Sequence, residues 1–147
     1  MKLSEAEAHR RLRAARVLRL ATADAQGIPH QVPATFAVHG GTLAIAVDHK
    51  PKGRQNLRRL RNIEANSRVC ALVDEYADDW TQLWWVRADG TARILAGPGQ
   101  EPWLDRLAAK YPQYAADRPQ GPVIEITLTR VTGWAYADGT TNPAAPD

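Results

Sequence analysis

The chain has 147 residues, of which 44% are hydrophobic and 24% charged, which suits one domain with a real core and excludes a largely disordered protein. Its formal net charge of +3 favours anionic partners, whether nucleotide-like cofactors, nucleic acid or acidic lipids. The single cysteine, Cys70, rules out a disulfide within the chain.

Ser4-Glu5-Ala6-Glu7 has the form of a capping box and predicts a short helix to about Ala15, anchored by Leu3 and Leu12. Strands are expected from Val17 to Ala23 and from His30 to Val38 around a Gln26-Gly27 turn. Gly40-Gly41 then turns into a third strand, Thr42 to Val47. A helix from about Gly53 to Ala65 follows, with Leu57, Leu60 and Ile63 on one face and Arg54, Arg58 and Arg61 on another. Arg68 to Glu75 reads as an apolar strand in which Cys70 is a buried, inert thiol. Trp80 to Arg87 reads as a further strand, Ala88-Asp89-Gly90 as a hairpin turn and Thr91 to Leu95 as the returning strand. Glu101 to Lys110 has helical spacing with Trp103, Leu104 and Leu107 inward, and Val123 to Tyr136 alternates as a long closing strand.

The sum is a mainly β domain over 1–138, of six or seven mostly antiparallel strands with three connecting helices, and a frayed tail over 139–147. Regular meanders of this kind close into a barrel more readily than they form a doubly wound sheet. The charged N-terminus lacks an apolar signal core, and no stretch has the length needed to cross a bilayer. The expected location is therefore cytoplasmic, with no membrane span.

The clearest chemistry lies in Lys50-Pro51-Lys52-Gly53-Arg54-Gln55-Asn56-Leu57. Six of the 19 Lys and Arg residues fall between Lys50 and Arg61, and no acidic residue interrupts them. A basic turn between a strand and a helix adds lysine and arginine charge to the unpaired N–H groups and positive dipole of the helix start, which makes an anion site suited to phosphate. Alone, such a run reads as a solvated helix face. Neither G-x-G-x-x-G nor G-x-x-x-x-G-K-[ST] occurs, so phosphate must use this frame: Lys50 and Lys52 as point charges, Arg54 as a fork, and the amides from Gly53 to Gln55 as a nest.

Metal and nucleophile chemistry find little support. His9, His30, His39 and His49 are scattered without ligand spacing, and Ser4 and Ser67 belong to a cap and a loop. Trp80, Trp84 and Trp85 are dense. On a strand the first two face one way and the third the other, serving either core and dimer contact or one indole beside a planar ring. Trp103 and Trp134 read as core.

Taken together, these residues resemble the flavin- and deazaflavin-binding split-barrel superfamily that includes the pyridoxamine-phosphate oxidases. Within it they are most similar to small actinobacterial oxidoreductases dependent on coenzyme F420, a deazaflavin. The resemblance runs from about Ser4 to Tyr136. It is carried by Leu18 to Asp24 with Gly27-Ile28-Pro29-His30, then Val32 to Phe36, then Ala46 to Lys52 with Arg54 and Asn56-Leu57, and finally Leu83 to Arg87 with Gly90 and Ala92. It implies an antiparallel split β-barrel of the FMN-binding type and a homodimer with cofactor sites shared between protomers. Lys52 matches the lysine that holds the cofactor phosphate, with Lys50, Arg54 and Asn56 beside it. Val32, Pro33, Ala34 and Thr35 match the strand whose backbone lies against the ring, and Ala46, Val47, Asp48 and His49 the strand under the ribityl chain. Trp80, Thr81 and Trp85 would come from the second protomer.

One departure separates two cofactors. The flavin oxidases have Ser-Arg-Lys where this chain has Lys50-Pro51-Lys52, which counts against FMN. The row Lys50, Lys52, Arg54, Arg58 and Arg61 suits the longer anion of F420, with its phosphodiester and oligoglutamate tail. The reading is an F420-dependent oxidoreductase passing a hydride to an electron-poor small molecule, with no catalytic side chain assigned. An FMN-dependent oxidase of the same fold and a non-catalytic F420-binding or storage protein are the alternatives. Nucleic-acid binding ranks below them because the basic residues are confined to one helix and its entrance.

Overall fold

The computed structural model describes residues 1–47 and 54–137, with backbone only for 54–57. Among these residues seven strands form one sheet: β1 (Leu18–Ala23), β2 (Pro29–Ala34), β3 (Ala37–His39), β4 (Thr42–Ala46), β5 (Arg68–Glu75), β6 (Trp84–Leu95) and β7 (Val123–Ala135). Their order is β2-β1-β5-β6-β7-β4-β3, and every neighbouring pair is antiparallel. Four α-helices are found among the described residues: α1 (Glu5–Ala14), α2 (Arg54–Ala65), α3 (Glu101–Lys110) and α4 (Pro112–Ala116). The architecture is the split barrel expected from the sequence, with one helix more because Tyr111 breaks the third into two.

Period-two alternation places Leu18, Leu20, Leu43, Ile45, Val69, Ala71, Val73, Val86, Ala88, Ile124 and Ile126 on one face, where they form the main core with Phe36. Helix α1 covers one part of that core with Ala8 and Leu12, and its cap is as expected: Ser4 Oγ accepts from the Glu7 N–H at 3.1 Å. Leu3 is tied down next to it by its N–H to the Gly133 carbonyl at 2.9 Å. A second, smaller core lies where Trp103, Leu104 and Leu107 of α3, with Tyr111, pack on Ala37, Ala44, Ala46 and Val123. No helix among the described residues is long and apolar enough to cross a membrane.

Four expectations are corrected. Ala88-Asp89-Gly90 is no turn: β6 runs unbroken through it, paired with β5 from Trp84 to Thr91 and with β7 along its whole length. Two ladders outweigh the turn preference of one Asp-Gly pair, which survives only as a bulge that leaves Thr129 of β7 without a partner in the register. Trp80 is not on a strand. Asp79 caps a single 3-10 turn from Trp80 to Gln82, accepting from the Thr81 N–H at 3.0 Å, so the indole is 68% exposed and the Trp80/Trp84 alternation does not exist. The expected strand from His30 to Val38 is split at Thr35-Phe36 into β2 and β3. Trp134 lies at the surface, whereas Trp103 is core, its indole N–H donating to Glu125 Oε2 at 2.8 Å.

Gly90 is where the bulge, β6 and β7 meet. A Cβ there would lie 2.5 Å from the Thr127 carbonyl oxygen and 2.6 Å from Ile126 Cγ2, both in a paired strand that cannot retreat. Gly90→Ala is expected to destabilise by about 1–3 kcal/mol, the usual range for overpacking. Gly41→Ala, which meets nothing within 4 Å, should be near neutral. Urea denaturation of the two variants checks the contrast.

Candidate functional site

The break between β2 and β3 exists because Phe36 turns inward and is fully buried. Its backbone is held by one side chain. Tyr111 follows Lys110 and precedes a proline, so it leaves α3 in extended geometry (φ −118, ψ 116). Its hydroxyl accepts from the Phe36 N–H at 3.1 Å and places its proton between the Arg16 carbonyl at 2.8 Å and the Phe36 carbonyl at 3.1 Å. One buried phenol therefore fastens the α1–β1 junction, the β2–β3 break and the end of α3 to one another. Burial raises its pKa, keeping it a neutral donor.

Around this fastening lies a cavity of about 400 Å³ lined by Arg16, Val17, Thr35, Tyr111, Gln113 and Tyr114. The Tyr114 hydroxyl and Thr35 Oγ1 are 2.7 Å apart, and the two tyrosine rings meet edge to face at 5.6 Å. Arg16 stacks its guanidinium 4.7 Å from the Tyr111 ring centre and donates from Nη2 to the Lys110 carbonyl at 2.9 Å. Behind the wall, Lys110 Nζ sits 3.8 Å from the Phe36 ring centre and 5.3 Å from that of Tyr111. Burial, then the Arg16 charge, pushes the Lys110 amine down to about 8.

Helix α2 forms the second cationic region. Its inner face is more polar than its apolar spacing implies: Arg59 and Asn62 are buried along with Ile63, and Asn62 Nδ2 donates to the buried Thr22 Oγ1 at 3.0 Å. His30 lies opposite Thr22 in the β1–β2 register. Its Nδ1 is buried without a hydrogen-bond partner among the described residues. Burial first, then the charges of Arg58 and Arg59, lowers its pKa, so the ring is neutral at physiological pH.

The expected cofactor residues divide by position. Val32, Pro33 and Ala34 lie on β2, an edge strand, with Val32 and Ala34 leaning on the main core, Pro33 exposed and Thr35 at the cavity. An edge strand keeps part of its backbone hydrogen-bonding capacity unpaired and tolerates proline. Ala46 ends β4, and Val47 continues it by donating to the Pro122 carbonyl at 2.9 Å. Asp48, His49, Lys50 and Lys52 lie outside the described residues, and Arg54 and Asn56 stand in the opening turns of α2 with their side chains outside the description. Trp80 and Thr81 belong to the β5–β6 connection, Thr81 bonded to Asp79, and Trp85 is half-buried on β6 beside Asp74 and Trp134. In the sheet order β1 and β5 stand between Trp85 and β2. Cys70 is half-buried, and burial raises its thiol to about 11, in keeping with an unreactive role. The described residues include no cluster of three or more His, Cys, Asp or Glu able to hold a metal.

The sequence reading missed Arg16, Tyr111, Tyr114, Arg59 and Asn62. A signal existed for the tyrosines, since Tyr111-Pro112 marks a helix end and Tyr114 follows one turn later.

A family model described as pyridoxamine 5'-phosphate oxidase matches residues 4–135, and the chain belongs to that family. It is 37% identical over 93 residues to a 5a,11a-dehydrotetracycline/5a,11a-dehydrooxytetracycline reductase of Streptomyces rimosus. That match covers 61% of this chain and 63% of the relative, so the chain spans less than two thirds of the curated relative it matches. Among solved structures, an FAD-binding protein from Mesorhizobium loti has a TM-score of 0.71 at 25% identity, over 90% of this chain and 95% of that one. An FAD-binding protein from Mycobacterium smegmatis shares the fold with a TM-score of 0.61 at 23% identity, over 91% and 97% of the two chains.

Lys110 supplies a pH test of this geometry. Its amine titrates near 8 in the folded protein against an ordinary 10.5, so the unfolded chain binds more protons between those values and stability rises with pH across that window. Below it the folded state carries the full cost of a half-buried ammonium. Lys110→Met, which keeps the unbranched stem and removes the charge, is expected to raise the urea midpoint at neutral pH. Its advantage over the parent should shrink as pH climbs from 8 to 10.5. Urea titrations at a series of pH values measure this.

Proposed function

We propose that the protein is an oxidoreductase that binds reduced coenzyme F420 as a homodimer and passes a hydride to an electron-poor small molecule. Family membership and a relative named as a reductase support the redox class, and solved neighbours named as FAD-binding support a flavin-like cofactor. The observation that carries the choice of an anionic cofactor is the run of six Lys and Arg from Lys50 to Arg61, uninterrupted by a carboxylate, at the entrance to α2. The neighbouring chemistry fits an anion: after burial, the charges of Arg58 and Arg59 contribute to the lowered pKa of His30 on β2.

In this reading Lys52 holds the cofactor phosphate, with Lys50, Arg54 and Asn56 beside it. The β2 backbone from Val32 to Thr35 lies against the ring, and Ala46, Val47, Asp48 and His49 lie beneath the ribityl chain. Trp80, Thr81 and Trp85 of a second copy complete the site. The bound deazaflavin supplies the hydride; the chain orients the ring on a rigid strand edge, neutralises the phosphate and keeps water from the reacting face. Two features favour F420 over FMN: Pro51 in place of the arginine of the flavin oxidases, and a basic row long enough for an oligoglutamate tail. The solved neighbour named as FAD-binding supports a flavin instead.

Fluorescence titration is expected to give tighter binding of F420 than of FMN, weakening as salt rises because exposed charges contribute. Lys52→Ala should reduce F420 affinity about tenfold or more, the value of a lost charge-assisted contact, whereas Arg61→Ala, further along the helix, should matter less. Preference for FMN removes the deazaflavin assignment, and equal effects of the two substitutions mean a diffuse basic surface. Sedimentation across a dilution series should show a dimer, with cofactor affinity lost on dissociation.

A further inference from the structure

We propose that the cavity between the α1–β1 junction, the β2–β3 break and α4 is the acceptor pocket, built for a planar carbonyl compound bearing an ionised oxygen, with the Thr35–Tyr114 hydroxyl pair donating a hydrogen bond to its carbonyl. The word acceptor rests on the oxidoreductase reading above. The ligand chemistry rests on the cavity alone.

A volume of about 400 Å³ accommodates a compound of two or three fused rings. Two tyrosine rings set edge to face make flat, apolar walls for such a molecule. The electrostatics are one-sided. Arg16 and Lys110 both approach the Tyr111 ring, and neither has a carboxylate within ion-pair distance among the described residues. Lys110 Nζ is in addition buried without a hydrogen-bond partner among the described residues. Two neighbouring cations without a counter-charge repel each other and oppose folding. An anion seated against Arg16 reverses that sign.

The two tyrosines of the cavity are not equivalent. Tyr111 spends its hydroxyl on three backbone groups and has no proton left for a ligand. Tyr114 has Thr35 Oγ1 as its hydroxyl partner. Each of these two hydroxyls carries one proton, and only one proton is used between them. Whichever residue donates to the other, the pair retains one proton for a ligand oxygen in the cavity that both line. When a hydride adds to a carbon conjugated with the ligand carbonyl, the double bond's electron pair moves onto that oxygen. The cofactor is oxidised and the ligand reduced, and the new charge develops beside the hydroxyl donor and Arg16. Thr35 also follows directly on β2, the strand assigned to the cofactor ring, which puts the cavity next to the hydride source.

The test is calorimetric titration of the cofactor-free protein with lawsone, a hydroxynaphthoquinone ionised at neutral pH, and with menadione, its uncharged methyl counterpart. Lawsone is expected to bind about tenfold more tightly. Arg16→Gln, at an exposed position that tolerates it, should erase that preference. Tyr114→Phe should weaken both ligands about three- to tenfold, a neutral hydrogen bond's worth, with circular dichroism confirming the fold. Equal binding of the two quinones, or a preference that survives Arg16→Gln, overturns the proposal, as does a Tyr114→Phe variant that binds as the parent does. F420 titration of Arg16→Gln separates the two readings. Unchanged cofactor affinity supports a distinct acceptor pocket, and a matching fall makes the cavity part of the cofactor site and overturns it. If no variant binds F420 while lawsone discrimination persists, the cofactor reading fails and the pocket chemistry stands.

Discussion

Strand β6 is hydrogen-bonded on both sides from Trp84 to Thr91, to β5 and to β7, and the rest of the molecule is positioned by that double ladder. It fixes which strands lie at the edges. With β6 at the centre, the order of the sheet leaves β2 at one edge and β3 at the other, although the two are separated by only Thr35 and Phe36 in the chain. The chain therefore crosses from one edge of the curved sheet to the other within two residues. That crossing is the split of the barrel. Among the described residues β2 and β3 are the strands with a neighbour on one side only, so the crossing leaves backbone open to strand-edge hydrogen bonds there.

A crossing of two residues needs to be held, and two opposite devices hold it. Phe36 buries its ring in the main core, while Tyr111 bonds both the N–H and the carbonyl of the same residue from the helical side. The amide and carbonyl that a strand break would leave orphaned are thereby satisfied. The same arrangement brings Arg16 and Lys110 onto the Tyr111 ring, where the burial of the Lys110 ammonium opposes stability. Fold and site thus pull in opposite directions at one residue. A half-buried ammonium without a carboxylate is a stability cost that an anionic ligand would relieve.

Much of the fold was legible because its signals are local. Ser4 and Glu7 announced α1, the apolar run from Arg68 to Glu75 announced β5, and helical spacing turned Trp103, Leu104 and Leu107 inward on α3. The errors share one cause: a local preference met a non-local partner. Asp89-Gly90 favours a turn, but Cys70, Val69, Arg130 and Leu128 pair with it from two strands. Trp80 suits a strand, but Asp79 caps a 3-10 turn first. Arg59 carried no assignment of its own within the basic run, yet α2 turns it inward beside Asn62, where Thr22 waits as that asparagine's partner from forty residues earlier. The cavity was invisible for the same reason. Its polar atoms come from the end of α1, the end of β2 and the α3–α4 junction, and no spacing rule connects Arg16 with Thr35 or Tyr114. The basic run at the entrance to α2 is the opposite case: it is contiguous in sequence, so the residues alone suggest an anion site, and its lysines lie outside the described residues.

The family fold is shared by this chain and its relatives, so the identity of the bound cofactor is what separates the proposed function from its alternatives. Native mass spectrometry of the protein, expressed in a host that makes both flavins and F420 and kept unheated through purification, addresses it directly. The expected species is a dimer whose excess mass over two bare chains equals deazaflavin with its oligoglutamate tail. A dimer carrying FMN or FAD in that host contradicts the assignment and returns the chain to the flavin-dependent members of its family.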